Sequence, residues 1–331
     1  MNTTPFSTRH INPTPASPGP QCGQDQAQAA ASPREGAAGD RALVLGGGGS
    51  TGNAWLIGVI AGLFEAGLDV TRAELTIGTS AGSTAAAQIA GAGPAELLAA
   101  ILAEVPRQGT RPAPSPDARV PLKPVTDHLE RTNRLIGAAQ DAADMRRRMG
   151  AAALGMESAS DVSGQARWRA TVAARLPGQS WPEQRVLITA VDAHTGEPVV
   201  FDRTSGVSLV DAVAASCASG FAYGIGDNRY IDGGYRRSSE NADLAAGCGR
   251  VLVLSPFGGR ARTPKEWGLH LAAQVGELRA GGSKVETVFP AGDAEHLFGA
   301  KAMDPSLRPA AARAGHNQGR FLADRLSEFW G

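Results

Sequence analysis

Only three cysteines, Cys22, Cys217 and Cys248, occur in 331 residues, an odd number at wide spacing with no C-x-x-C pair and no Cys/His ligand spacing. A disulfide framework and a zinc site are therefore not expected, and the three read as free thiols of a reducing compartment. Neither sign of charge is in excess: 32 Lys and Arg balance 32 Asp and Glu, so no basic surplus argues for nucleic acid or another polyanion. No stretch reaches the roughly 18 to 20 apolar residues of a spanning helix, so any membrane contact is expected to be peripheral. Residues 1–40 are rich in Pro, Gly, Ala, Gln, Ser and Thr and hold no apolar run like a signal-peptide core, which predicts a disordered tail and a cytoplasmic location. No internal repeat is present.

With 42% hydrophobic and 19% charged residues, the chain can bury one large core or two ordinary ones. From Arg41 onward strand and helix patterns alternate. Strands are predicted at 42–45, 74–77, 185–191, 198–201, 229–231, 251–254 and 284–289. Helices are predicted at 53–66, 80–91, 208–216, 264–279 and 310–329. That alternation argues for a mostly parallel sheet covered on both faces. Between 106 and 164 the character changes. A Pro-rich link, Arg111-Pro112-Ala113-Pro114-Ser115-Pro116, leads into a helical stretch from Asp127 to Met149, with Asp127 and Glu130 spaced as a capping box. This segment reads as a helical cap inserted into a single α/β domain spanning 41–331.

Two glycine-rich motifs stand close together. Gly46-Gly47-Gly48-Gly49-Ser50-Thr51-Gly52 follows the apolar Ala42-Leu43-Val44-Leu45, and Gly78-Thr79-Ser80-Ala81-Gly82 follows Leu75-Thr76-Ile77. A G-x-S-x-G sequence between a strand and a helix forces a sharp turn that exposes the serine oxygen, with Gly78 and Gly82 relieving the backbone. Ser80 is thus the candidate nucleophile, aided by the dipole of the helix that follows. The first motif admits three readings. Gly47-x-Gly49-x-x-Gly52 satisfies the dinucleotide fingerprint, but the second strand ends in the serine turn where a ribose-binding carboxylate belongs, although Asp69 and Glu74 lie nearby. A Walker loop fails because Asn53 and Ala54 stand at its Lys and Ser/Thr positions. The third reading is an oxyanion hole, in which the consecutive N–H groups of Gly48, Gly49 and Ser50 bind the negative oxygen of an acyl-transfer intermediate. A plain strand-to-helix turn that needs glycine accounts for the run equally simply.

A nucleophilic serine needs a base. His10 lies in the tail, His128 in the cap, His270 in an amphipathic helix pattern, and His194 at a hairpin tip within Asp192-Ala193-His194-Thr195-Gly196-Glu197. His296 and His316 remain open. A carboxylate is the stronger candidate: Asp232 follows the strand Arg229-Tyr230-Ile231 and opens Asp232-Gly233-Gly234, whose glycines let backbone crowd the serine. An ordinary Asp-Gly turn is the plain alternative.

Taken in order, G-G-G-G-x-x-G, G-T-S-A-G and D-G-G resemble the patatin-like phospholipase family, over most of the chain from Arg41 to Trp330. The resemblance implies a three-layer α/β/α fold and a Ser80-Asp232 dyad that hydrolyses lipid or small esters through an acyl-enzyme. It also implies an oxyanion hole at Gly48, Gly49 and Ser50 and no requirement for a metal or cofactor. Asp232 would accept the Ser80 proton and later activate water. At an unperturbed pKa of roughly 3.9 an aspartate is a weak base unless burial raises that value. A general carboxylesterase or acyltransferase with the same dyad, and a non-catalytic nucleotide-binding module, are the alternatives. Two positions depart from the family pattern. Thr51 stands where Arg or Lys is usual, and Ser219, in Ala215-Ser216-Cys217-Ala218-Ser219-Gly220-Phe221, stands where proline is common. Loss of the cation loosens the case for phospholipid over other esters, and Thr51→Arg is expected to leave the fold intact while shifting substrate preference. In the cap, Met145-Arg146-Arg147-Arg148-Met149, with Leu129, Leu135, Ile136 and Met156 nearby, could form a basic amphipathic face for a membrane or a solvated charge run. Trp168 and Trp181 read as packing residues.

Overall fold

The computed structural model describes residues 40–104, 125–156 and 162–331. The expected tail, apart from Asp40, and the Pro-rich link lie outside the described residues.

Alternation of strand and helix produces one mixed sheet. Its strands are β1 (Arg41–Leu45), β2 (Leu75–Gly78), β3 (Arg185–Asp192), β4 (Pro198–Phe201), β5 (Tyr223–Ile225), β6 (Asn228–Asp232), β7 (Arg250–Leu254) and β8 (Lys284–Val288). Their order is β5-β6-β3-β2-β1-β7-β8, with β4 paired to β3. The five strands from β3 to β8 along that order are parallel, while β4 and β6 run antiparallel to β3 and β5 antiparallel to β6. Strand order reverses between β1 and β7, the place where open α/β sheets form crevices beyond their carboxyl ends.

Alternating side chains of β1 serve both faces. Leu43 and Leu45 enter a core with α1 (Gly49–Glu65) and α2 (Ala81–Gly91). Ala42 and Val44 enter a second core with Leu244, Leu271 and Val275 on the opposite face. The fold is thus three-layered, as the sequence pattern predicts. Helix α1 has almost no polar face and is buried from Thr51 to Leu63, the mark of a helix enclosed on all sides. It is covered by α3 (Pro94–Leu102) and by the C-terminal helix. The latter's Trp330 joins the same core, and Phe298 meets Trp55 edge-on with ring centroids 6.2 Å apart. Each fully buried large apolar side chain of this kind contributes about 1.5 to 3 kcal/mol.

Boundaries moved where caps or glycines intervene. Helix α1 starts at Gly49, not Asn53, so the last glycines of the loop form its first turn. The expected helix from Asp127 to Met149 is two, α4 (Val125–Gly137) and α5 (Ala142–Leu154), because the Asp141 side chain accepts the Asp144 N–H at 2.7 Å and caps a new helix. The start of α4 lies upstream of Asp127, whose side chain is outside the described residues. Helix α6 (Val162–Ala173) was not anticipated; α7 (Leu209–Ser216) was. The expected helix at 264–279 breaks at Gly268, which takes φ +65°, so α8 covers Leu271–Ala280. The last helix, α9, runs Arg308–Trp330. Among the described residues no helix is long and apolar enough to cross a membrane.

Candidate active site

Ser80 sits at the carboxyl end of β2 with φ 52° and ψ −116°, a backbone conformation a non-glycine residue adopts only under constraint. The constraint comes from close neighbours. Thr79 N–H donates to Leu45 O at 3.1 Å, Gly82 N–H to Thr79 O at 2.8 Å and Ser83 N–H to Ser80 O at 2.9 Å. Ser83 Oγ also donates to Ser80 O, at 2.6 Å. A side chain at Gly82 would collide with the Leu45 carbonyl, so glycine alone lets the elbow seat on β1. Ser80 N–H is held by Ser216 Oγ at 2.9 Å, and the Cys217 thiol donates to Ser80 O at 3.1 Å. Burial pushes that thiol up to about 11, which keeps it protonated as a donor.

Ser80 Oγ donates to Asp232 Oδ2 at 2.8 Å. Asp232 is the last residue of β6, fixed by its pairing with Ala190 of β3 and by its N–H to Ala218 O at 3.0 Å. Its other oxygen accepts Gly234 N–H at 2.8 Å. At 8% exposure the carboxylate has few water contacts. Burial raises its pKa to about 6, against the opposing pull of the Gly234 and Ser80 hydrogen bonds. The expected weak base thus becomes one poised near neutral pH.

Sequence reasoning missed Asn241. Fully buried, at φ 52°, it donates through Nδ2 to Thr79 Oγ1 at 3.0 Å, Thr189 Oγ1 at 3.2 Å and Gly233 O at 2.9 Å. One side chain therefore ties the serine elbow to β3 and to the Asp232 turn. An asparagine nine residues past an Asp-Gly-Gly turn gives no local signal of this.

The glycine loop passes over the serine: a Cβ built on Gly47 would lie 3.5 Å from Ser80 Cβ. Gly46 N–H donates to Leu254 O, Gly47 N–H to Ser239 O and Thr51 N–H to Ala302 O. The N–H groups of Gly48, Gly49 and Ser50 make no hydrogen bond within the described protein, and all three residues line the cavity that holds Ser80. They sit where α1 begins, so its dipole favours an anion there. Ala81 N–H, also on the cavity and also without a partner, is a fourth donor that the sequence reading did not name. Gly49 has φ +65° and lies so close to Ala302 O that a side chain would displace it.

The cavity measures about 630 Å³. Leu129, Ile136, Met145, Trp168, Phe257 and Met303 give it apolar wall, and Arg175, Arg237, Arg260, Arg262 and Arg308 also line it. Among the described residues no three His, Cys, Asp or Glu side chains converge as metal ligands, and none of the described histidines bonds Ser80 or Asp232. His128 lines the cavity, 3.2 Å from Ser219 Oγ, and is held below its usual pKa by burial and by Arg131 and Arg262. His194 is at the expected β3–β4 hairpin tip, His270 precedes α8 rather than lying within it, and His296 bonds Asp293 O. His316 meets Glu65 at 2.7 Å. His10 lies outside the described residues.

One expectation needs correction. Thr51 is fully buried, with N–H and Oγ1 both directed to Ala302 O at 3.0 and 3.5 Å, so an arginine there cannot leave the fold intact. Of the two readings of the Met145–Met149 run, the solvated charge run fits the structure better than the basic amphipathic face. Both methionines are buried in the core, Arg146 donates to Gly196 O and Arg236 O, and Arg147 and Arg148 pair with Asp144. Trp168 and Trp181 are packing residues whose indole N–H groups reach Ala214 O and Val207 O.

Residues 43–246 match the family described as patatin-like phospholipase. That span holds the glycine loop, the elbow, Asp232 and Asn241 and stops before β7. Among solved structures, that of the type III effector protein ExoU is similar at 14% identity and a TM-score of 0.36, over 87% of this chain and 53% of that one. The chain spans about half the length of that protein. No curated protein matches it.

Proposed function

The chain belongs to the patatin-like phospholipase family, and from that premise we propose that it is a serine acyl hydrolase of lipid carboxylic esters, working through Ser80 and Asp232. The observation that carries the reading is the 2.8 Å hydrogen bond from Ser80 Oγ to a buried Asp232, opposite backbone N–H groups left without partners.

In the proposed reaction Asp232 Oδ2 takes the Ser80 proton as Oγ attacks the ester carbonyl carbon. The carbonyl oxygen becomes an oxyanion bound by N–H groups of Gly48, Gly49 and Ser50, with Ala81 N–H within the same cavity. Collapse breaks the carbon–oxygen bond to the alcohol, which leaves with the proton held by Asp232. Water then attacks the acyl-enzyme, Asp232 accepts its proton, and the acid product departs as Ser80 regains a proton. Gly47, Gly52, Gly78, Gly82, Gly233 and Gly234 support these turns, and Gly47 and Gly234 also line the cavity.

The apolar wall suits an acyl chain. Its residues Leu129, Ile136 and Met145 come from α4 and α5, which supports a covering role for the inserted segment at about 106–164. Cys217 and Cys248 are free thiols, in keeping with a reducing, cytoplasmic setting. The test is hydrolysis of a short p-nitrophenyl ester and a phospholipid in EDTA. The parent should turn over both, and folded Ser80→Ala and Asp232→Asn should each lose at least about 10³-fold in kcat. Activity that needs added metal, or that survives Ser80→Ala, would overturn the proposal.

A further inference from the structure

The glycine loop is secured from a part of the chain beyond residue 246. Helices α1 and α9 run parallel at backbone contact: Gly58 and Gly62 face the carbonyls of Ala312 and His316, and Gly315 and Gly319 face those of Trp55 and Val59. Side chains at any of the four would force the helices apart, so the register between them is fixed and their N-termini lie together. Arg308, the first residue of α9, is thereby set beside the first turn of α1. Its Nη1 donates to Ser50 O at 3.0 Å and to Asn53 Oδ1 at 3.2 Å, while Nε donates to Glu104 at 2.9 Å. Asn53 in turn donates to Gln88 Oε1 at 2.9 Å and Ala81 O at 3.4 Å, on the elbow helix. The peptide between Ser50 and Thr51 is consequently held at both ends, its carbonyl by Arg308 and its N–H by Ala302 O.

We propose that Arg308 is a positioning residue for the oxyanion loop, fixing the Ser50–Thr51 peptide so that the N–H groups of Gly48, Gly49 and Ser50 stay open to the reacting carbonyl. Consecutive glycines have wide backbone freedom, and a loop of them keeps one arrangement only through its anchors. At the entry these are Leu254 O and Ser239 O; at the exit they are Ala302 O and the Arg308 guanidinium. Thr51 carries no charge, and the cation bonded to this loop comes from α9. A planar fork that reaches Ser50, Asn53 and Glu104 at once is a task for arginine rather than lysine.

The inference rests on the hydrolase reading, and its test keeps the two apart. The parent, Arg308→Ala, Arg308→Lys and, as a charge control on the exposed side of α9, Arg313→Gln are compared in three assays. These are hydrolysis of a short p-nitrophenyl ester, inhibition by a trifluoromethyl ketone that forms a tetrahedral oxyanion on the serine, and fluorophosphonate labelling of Ser80. Arg308→Ala should lower kcat by about 10- to 100-fold with KM within about threefold, in the range set by impaired oxyanion donors. It should weaken the ketone by the same factor and regain activity with sub-denaturing guanidinium. Arg308→Lys should recover only part of the loss, and Arg313→Gln should match the parent. Should Arg308→Ala fail to fold, the lysine variant decides on the same readouts. Parent-like kcat in the Arg308 variants, or a loss in KM alone, would overturn the positioning role. A parent inert toward both ester and fluorophosphonate would overturn the hydrolase reading, and this role with it.

Discussion

Around Ser80 the turn is closed mainly by neighbours: Gly82 N–H and Ser83 N–H reach back to Thr79 O and Ser80 O, and Ser83 Oγ adds a third bond. Across the cavity the glycine loop closes on itself where α1 begins, Gly52 N–H to Gly48 O at 3.0 Å, and is otherwise held from afar. Its anchors are Ser239, Leu254, Ala302 and Arg308, all about 190 residues or more away along the chain. Both segments join a parallel strand to a helix and both present backbone N–H groups to one cavity. The elbow draws its closing bonds from its own sequence and its seating from Leu45, Ser216, Cys217 and Asn241, whereas the loop takes most of its geometry from the fold around it. Damage to the elbow should therefore stay local, and the loop should respond to changes far away in sequence.

That contrast can be tested at both ends. The largest effect is expected from Thr51→Arg, which puts a charge into the fully buried seat where the loop meets Ala302. It should destabilise by more than about 4 kcal/mol, read as a lowered urea midpoint or loss of soluble protein. Asp232→Asn should act in the opposite direction on stability. The carboxyl holds its proton more tightly when folded, up to about 6 against an ordinary 3.8. The native state therefore binds more protons than the unfolded state in that interval, and stability falls as pH rises through it. The variant should gain up to about 3 kcal/mol over the parent above pH 7 and little below pH 4, measured by urea unfolding across pH. Gly49→Ala, at φ +65° against Ala302 O, should cost about 1 to 2 kcal/mol and about 10²-fold in kcat. Ser83→Ala removes one bond of an elbow that keeps the others, and should cost about 1 kcal/mol with kcat within about threefold. Were Ser83→Ala to lower kcat as much as Gly49→Ala, the distinction between a self-held elbow and a borrowed loop would fail.

The same distinction explains what could be read before the structure. Gly78-Thr79-Ser80-Ala81-Gly82 names a turn whose closing bonds come from the motif and from Ser83 just after it, so its shape is legible locally, while its seating on Leu45, Ser216, Cys217 and Asn241 is not. The strands were legible because both faces of the parallel sheet are buried, which leaves unbroken runs such as Val251-Leu252-Val253-Leu254. Asp232 could be chosen because a strand and two glycines flank it, but its pairing with β3 and the burial that raises its pKa are long-range facts. Asn241, Ala302 and Arg308 were illegible for the same reason: each acts through a contact that only the folded chain makes. Thr51 misled because a side chain missing from a motif invites the idea of restoring it, while burial, invisible in a motif, decides whether the replacement fits.

The most direct measurement is the pH dependence of Ser80 acylation by a short p-nitrophenyl ester, followed in single turnovers for the parent and for Asp232→Asn. A Ser80-Asp232 dyad predicts an acid limb in the parent with an apparent pKa near 6, and a residual rate in the variant at least about 10³-fold lower with that limb gone. An acid limb that persists in Asp232→Asn at a comparable rate would contradict the account and assign the base to another group, with His128 on the cavity wall the first to replace.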